Sequence, residues 1–163
     1  MGPAMVKTLR RFSRLPWQRK ALLLEGALWL TLAWMLVRGL PFRFWSRWLG
    51  QQAEGEVELR AAGRDPRALE ICWSVSAINA RLGGRLTCLM LAMAAQWMLH
   101  RRRISSCLVL GTLTQQDAQH RPTFKAHAWV RDASGIVLGH QDEPYVALSS
   151  FVRCYPAREG ETC

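Results

Sequence analysis

The change from helical to strand-like sequence near residue 104 is the feature that most constrains the fold of this chain. Before it, TCLMLAMAAQWMLHRRR (87–103) runs apolar for three helical turns; after it, short β-like segments follow one another. Helices followed by a meander of strands define an α+β architecture, in which a helix packs on an antiparallel sheet. At 163 residues the chain is long enough to bury such a core in one domain.

Antiparallel strands are predicted throughout the part of the chain that follows residue 104. The segments are SSCLVLGTLT (105–114), TFKAHAWVRD (123–132), IVLG (136–139) and YVALSSF (145–151). A polar loop separates the first two, and DASG (132–135) has the composition of a turn.

The sequence predicts three sections along the chain. Residues 1–50 form a hydrophobic and basic helical section, residues 51–64 are polar and predict a linker, and residues 65–163 form the predicted core. Asp65-Pro66 begins the first core helix as N-cap and first helical residue, and Gly83-Gly84 ends it. A stripe at three- and four-residue steps predicts the core-facing side of that helix: Leu69, Cys72, Val75, Asn79 and Leu82.

An apolar run, ALLLEGALWLTLAWMLV (21–37), lies between basic residues near the amino terminus. A helix that spans a bilayer needs about 20 apolar residues, so this run is at the lower limit, and it contains Glu25. Because a carboxylate inside a membrane is costly, the run favours a buried or membrane-surface helix over a spanning one. Beyond it, Arg38, Arg43 and Arg47 alternate with aromatic residues and predict contact with an acidic partner surface.

Charge and cysteine content limit the classes of function. Lys and Arg number 22 against 12 for Asp and Glu, a net charge of +10 that favours acidic partners in general. No zinc-finger, RNA-recognition or helix-turn-helix signature is present, so no nucleic-acid partner is expected. Five cysteines without a CxxC pair argue against a disulfide framework and against a metal site. The amino terminus shows no cleavable secretory signal, which predicts a cytoplasmic protein with reduced thiols and leaves membrane association open.

Cys88 is the candidate nucleophile. Thr87 has the chemistry of an N-cap, which places Cys88 in the first turn of its helix, where unpaired amides favour a thiolate. A cysteine nucleophile also needs a base, usually a histidine. His100 is at the far end of the same helix and cannot reach the sulfur, whereas His127 lies within a strand and is flanked by small alanines. Without further information, a packing role for His127 remains the alternative.

The sequence resembles the transglutaminase-like cysteine peptidases, and among them the leader peptidases of lasso-peptide biosynthesis. The segments that carry the resemblance are TCLMLAMAAQWMLHRRRISSCLVLGT (87–112), FKAHAWVRDASGIVLG (124–139) and RRFSRLPWQRKALLLEGALWLTLAWMLVRGLPF (10–42). The resemblance implies a papain-like α+β fold in which Cys88 attacks a peptide bond of the precursor. His127 would then be the general base and the acid for the leaving group.

The family adds an aspartate beyond the histidine, on the neighbouring strand. Here that region reads LGHQDE (138–143), an imperfect match. Asp142 is the best candidate for orienting His127, with Asp132 and His140 as alternatives.

Partners follow from the same resemblance. The substrate would be a ribosomally made lasso-peptide precursor, delivered by a separate leader-recognition protein, because the chain has no room for a fused one. The trimmed peptide would pass to an asparagine-synthetase-like cyclase that uses ATP. ATP-dependence of leader removal is implied by the family only. No Gly-rich phosphate loop is present, and no bound cofactor is expected. The alternative is a non-catalytic, membrane-associated interaction or scaffold protein with a degenerate transglutaminase-like fold.

Overall fold

The computed structural model describes residues 16–59, 65–116 and 121–155. The helices in these ranges are α1 (Trp17–Gly39), α2 (Phe42–Trp45), α3 (Pro66–Arg81) and α4 (Cys88–Arg101), and a 3₁₀ turn (Ser46–Trp48) follows α2. The strands are β1 (Gln51–Glu54), β2 (Ser106–Gln116), β3 (Pro122–Asp132), β4 (Gly135–Leu138) and β5 (Val146–Arg153). The predicted α+β class is confirmed.

The described strands form one antiparallel sheet in the order β1-β5-β2-β3-β4. The long β2–β3 hairpin lies at its centre, with Leu108 opposite Val130 and Val109 opposite Trp129. Because side chains alternate between the two faces of a strand, Leu108 and Val130 join the helical core while Val109 and Trp129 form a second cluster on the other face. The sheet therefore has a helix-covered face and a face that carries Trp129.

Helix α4 lies between the sheet and the other two long helices. A helix covered on all sides can be apolar all round, which accounts for its sequence. Met93, Met98 and Leu99 are fully buried. At its start the Thr87 hydroxyl accepts a hydrogen bond from the Met90 N–H at 3.4 Å, which confirms the predicted N-cap.

The structure corrects the predicted linker over residues 51–54. These residues form β1, in which Gln51 lies opposite Val152 and Glu54 opposite Ser149 of β5. The strand is at the edge of the sheet and nearly all of its side chains face solvent, so its sequence carries no apolar alternation. Trp45 and Leu49, just before it, are buried in the same core as α4. Residues 1–15 and 60–64 of the predicted sections lie outside the described residues.

The predicted core-facing stripe of α3 is corrected in part. Cys72 and Val75 are buried, but Leu69 and Leu82 are exposed. The rest of the buried face comprises Ala68, Ile71 and Ser74. Small Ala68 and Ser74 lie on the face of α3 that packs on α1 and α4, and Leu69 lies outside that face. Ser74 is tolerated there because its hydroxyl donates to the Ile71 carbonyl at 2.7 Å.

The apolar run near the amino terminus forms α1, which packs on α3 and α4. By length and composition alone α1 could cross a membrane, but Leu30 and Ala33 on its inner face are buried in the core. The contacts of Glu25 explain how this apolar helix accommodates a carboxylate. It accepts hydrogen bonds from both terminal nitrogens of Arg102, at 3.0 and 2.6 Å, and Arg101 lies 3.4 Å away. These contacts, above all the hydrogen bonds from Arg102, lower the pKa of Glu25.

Replacing Glu25 by Gln is expected to lower the free energy of unfolding by about 2 kcal/mol, since Arg102 loses an ionised acceptor. For a chain of this length that is a decrease in Tm of about 4–8 °C, measurable by circular dichroism at neutral pH. Because folding lowers the pKa of Glu25 from 4.5, its contribution is complete above that pH and is lost as the pH falls below it. Glu70→Gln, at an exposed site on α3, is the control. A Tm difference that persisted unchanged at about pH 3 would contradict this assignment.

Candidate functional site

Cys88 is the first residue of α4 and is partly buried at the edge of the helical core. It differs from the other described free thiols, Cys72 and Cys107, which are both buried. Burial raises the pKa of Cys72 to about 12 and also raises the pKa of Cys107. Neither of them is suited to nucleophilic chemistry. Cys154 is disulfide-bonded, which corrects the expectation that the cysteines are all reduced.

Backbone amides surround the start of α4. The Leu91 N–H donates to the Thr87 carbonyl at 3.1 Å, and the Met90 N–H donates to the Thr87 hydroxyl. The amides of Cys88 and Leu89 precede the first of these helical bonds, so the helix itself supplies them with no acceptor. They are oriented to stabilise negative charge next to the sulfur.

The His127 imidazole is fixed by a backbone carbonyl. Its Nε2 lies 2.8 Å from the Gly139 oxygen. A carbonyl oxygen can only accept, so Nε2 carries a hydrogen, and in the neutral imidazole Nδ1 is left with the lone pair. Gly139 has φ +80°, and a Cβ there would lie 2.9 Å from the Ala128 carbonyl oxygen, so this position requires glycine.

Two aromatic rings hold the faces of His127. The Trp129 ring stacks on it at a centroid distance of 6.0 Å, and the Tyr145 ring is tilted against it at 5.2 Å. Gly111 lies opposite His127 on β2, and a Cβ there would approach Trp129 Cη2 to 2.6 Å. Glycine at position 111 therefore makes room for the ring that stacks on His127.

Tyr145 is an ionisable neighbour of His127. Burial, the hydrogen bond to Glu143 and the negative charge of Glu143 raise the pKa of the Tyr145 hydroxyl. The ring of the same tyrosine contacts His127. His127 lies two residues from Trp129 and shares its face of the sheet with Trp129 and Tyr145, whereas Cys88 packs against the helical core on the other face. That Cys88 and His127 act as a pair stays a prediction.

The three candidates for the orienting residue have other described contacts. The carboxylate of Asp142 is fully exposed, and its ion pair is with His140, at 3.9 Å. Asp132 is buried in the β3–β4 turn, where Oδ1 accepts from the Ser134 N–H at 2.7 Å. That Asp142 orients His127 stays a prediction, while the contact described at Nε2 comes from Gly139.

We expect Asp142→Asn to change peptide-cleavage activity by less than about fivefold, because the Gly139 carbonyl already holds Nε2. The rate would be measured on the same peptide substrate as for the wild type. A loss of about 10⁴-fold would instead assign the orienting role to the Asp142 carboxylate.

A cleft of about 170 Å³ opens beside His127. Two carboxylates line it, and each is paired: Glu143 with Lys125 at 2.8 Å and Glu56 with Arg131 at 2.5 Å. Sequence reasoning missed Tyr145, Glu143 and Gly139 as site residues. Within the described ranges, no group of three or more His, Cys, Asp or Glu is arranged to hold a metal ion.

Residues 36–151 match the Transglutaminase-like superfamily, and the chain belongs to this family. The match begins within α1 and ends in β5, so it includes both Cys88 and His127. Members of the superfamily are commonly cysteine-dependent hydrolases or transferases. No curated protein and no solved structure matches the chain.

Proposed function

We propose that this chain is a cysteine peptidase that removes the leader from a lasso-peptide precursor, with Cys88 as nucleophile and His127 as base. The observation that carries the proposal is the tautomer of His127. The carbonyl of Gly139 holds the hydrogen on Nε2 and leaves Nδ1 of the neutral imidazole free to accept a proton. Membership of the Transglutaminase-like superfamily supports the same chemistry.

The reaction would proceed in two stages. Nδ1 of His127 takes the proton of the Cys88 thiol as the sulfur attacks the carbonyl carbon of the scissile peptide bond. The amides at the start of α4 stabilise the resulting oxyanion. The imidazolium then gives its proton to the leaving amine, which departs and leaves a thioester on Cys88. A water, deprotonated by Nδ1, hydrolyses the thioester, and its proton returns to the sulfur as the acid product leaves.

The identity of the substrate follows from the resemblance in the sequence. The peptidase would act on a lasso precursor delivered by a separate leader-recognition protein, and a lasso cyclase that uses ATP would consume the trimmed peptide. In this proposal ATP acts outside the peptidase site, and no nucleotide-binding residue is assigned to the chain.

The test is cleavage of a synthetic leader-bearing lasso precursor, incubated with the full chain in the presence and absence of a leader-recognition protein. We expect one cut at the leader–core junction, and an increase in rate when the recognition protein is present. Scattered cuts that do not respond to the recognition protein would leave a peptidase but refute the leader-specific role. Absence of cleavage under both conditions would favour the non-catalytic interaction protein.

A further inference from the structure

The outward face of α1 is apolar along the length of the helix. Side chains at steps of three and four residues point away from the core, and Leu24 and Leu28 keep 62 % and 66 % of their surface exposed. The other members of this outward face are Trp17, Ala21, Thr31 and Met35. The one hydroxyl among them, on Thr31, donates to the Ala27 carbonyl at 2.8 Å and so needs no water. An exposed apolar face of this size marks a contact surface.

Charges are confined to the two ends of this face. Between Lys20 and Arg38 the single ionisable side chain is Glu25, which points inward to Arg101 and Arg102. The uncharged stretch covers about 26 Å along the helix axis at 1.5 Å per residue.

The ends themselves are basic and aromatic. Arg19 and Lys20 precede the stretch, and Arg38, Arg43 and Arg47 follow it. Exposed aromatic side chains accompany both groups: Trp17, Phe42, Phe44 and Trp48. Cationic residues with aromatic rings suit the headgroup region of an anionic bilayer, where the rings lie at the boundary with the acyl chains.

We propose that the outward face of α1 lies on the surface of an anionic lipid bilayer. The helix is parallel to the membrane plane, because its inner face is packed on α3 and α4 and Glu25 is held by Arg102. The outward face enters the boundary between headgroups and acyl chains, while the arginines that follow α1 contact lipid phosphates. The candidate peptidase site would then work next to a membrane, and this inference does not depend on the peptidase proposal.

The test is flotation of the full chain with vesicles of phosphatidylcholine alone and of phosphatidylcholine mixed with phosphatidylglycerol. We expect binding to the mixed vesicles and little binding to the neutral ones. Leu28→Glu should weaken binding at least about tenfold, because it places a charge in the lipid boundary. The matched control, Phe124→Glu, changes a comparably exposed apolar side chain on β3 and should leave binding unchanged.

A charge series keeps the test independent of any folding defect in Leu28→Glu. The triple variant Arg38→Gln/Arg43→Gln/Arg47→Gln should weaken binding to the mixed vesicles at least about tenfold. The control Arg81→Gln/Arg85→Gln/Arg103→Gln removes the same number of charges from exposed sites elsewhere and should bind as the wild type does.

Three outcomes would overturn the proposal. One is absence of binding to both kinds of vesicle, and another is equal loss in each variant and its control. The third is a dimer, seen by light scattering without vesicles, that Leu28→Glu converts to a monomer while vesicle binding is absent. That result would assign the outward face of α1 to a second copy of the chain.

Discussion

Cys88→Ala is expected to abolish cleavage of a leader-bearing precursor, with a loss of at least about 10⁴-fold in kcat. The sulfur forms the covalent intermediate, and no other described thiol is in a position to replace it, since Cys72 and Cys107 are buried. The measurement is the rate of appearance of the trimmed peptide by mass spectrometry, with the leader-recognition protein present.

The matched control is Cys107→Ala, which removes a buried thiol at the start of β2, on the face of the sheet away from α4. After circular dichroism has shown that both variants are folded, Cys107→Ala should keep most of the activity. Equal activity of Cys88→Ala and the wild type would exclude Cys88 as the nucleophile. Such a result would favour the alternative function, a non-catalytic interaction protein.

His127→Ala is expected to lower kcat by about 10²–10⁴-fold, the contribution of a well-placed general base. The imidazole is held on one nitrogen by Gly139 and between the rings of Trp129 and Tyr145. In the proposed mechanism it is also the proton donor to the leaving amine, so its loss affects both steps. KM should change little if the ring acts on the reaction and not on binding.

The control for His127 is His140→Ala. His140 lies on the loop after β4 with an exposed side chain, and its described ion pair is with Asp142. We expect His140→Ala to keep nearly full activity. Comparable losses in the two variants would show that the loop after β4, and not the His127 ring, determines the rate.

The fold was predictable wherever local sequence chemistry decides the structure. Thr87 as N-cap, the Asp65-Pro66 helix start and the DASG turn all act within a few residues, and the structure has each of them. Strand β1 was not predictable, because an exposed edge strand shows no apolar alternation and pairs with β5 far along the chain. The Glu25–Arg102 ion pair was not predictable for a similar reason, because the two residues are far apart in the sequence.

The candidate site was predictable only in its side chains. Cys88 and His127 could be proposed from residue type, predicted position and resemblance to a family. Gly139 could not, because its contribution is a carbonyl oxygen and every residue has one. A glycine after a short strand is also typical of an ordinary turn, so its type did not indicate a site residue. Asp142 could be proposed from its distance in the sequence; its side chain is exposed, and that it orients His127 stays a prediction.

The most direct test of the proposed pairing is the rate at which iodoacetamide alkylates Cys88 near neutral pH, followed by peptide mapping. It needs no substrate, and it compares the wild type with His127→Gln. We predict that the alkylation of Cys88 slows at least about tenfold in His127→Gln, because the thiol loses the base that removes its proton. Equal rates in the two proteins would contradict the Cys88–His127 pair and the peptidase built on it.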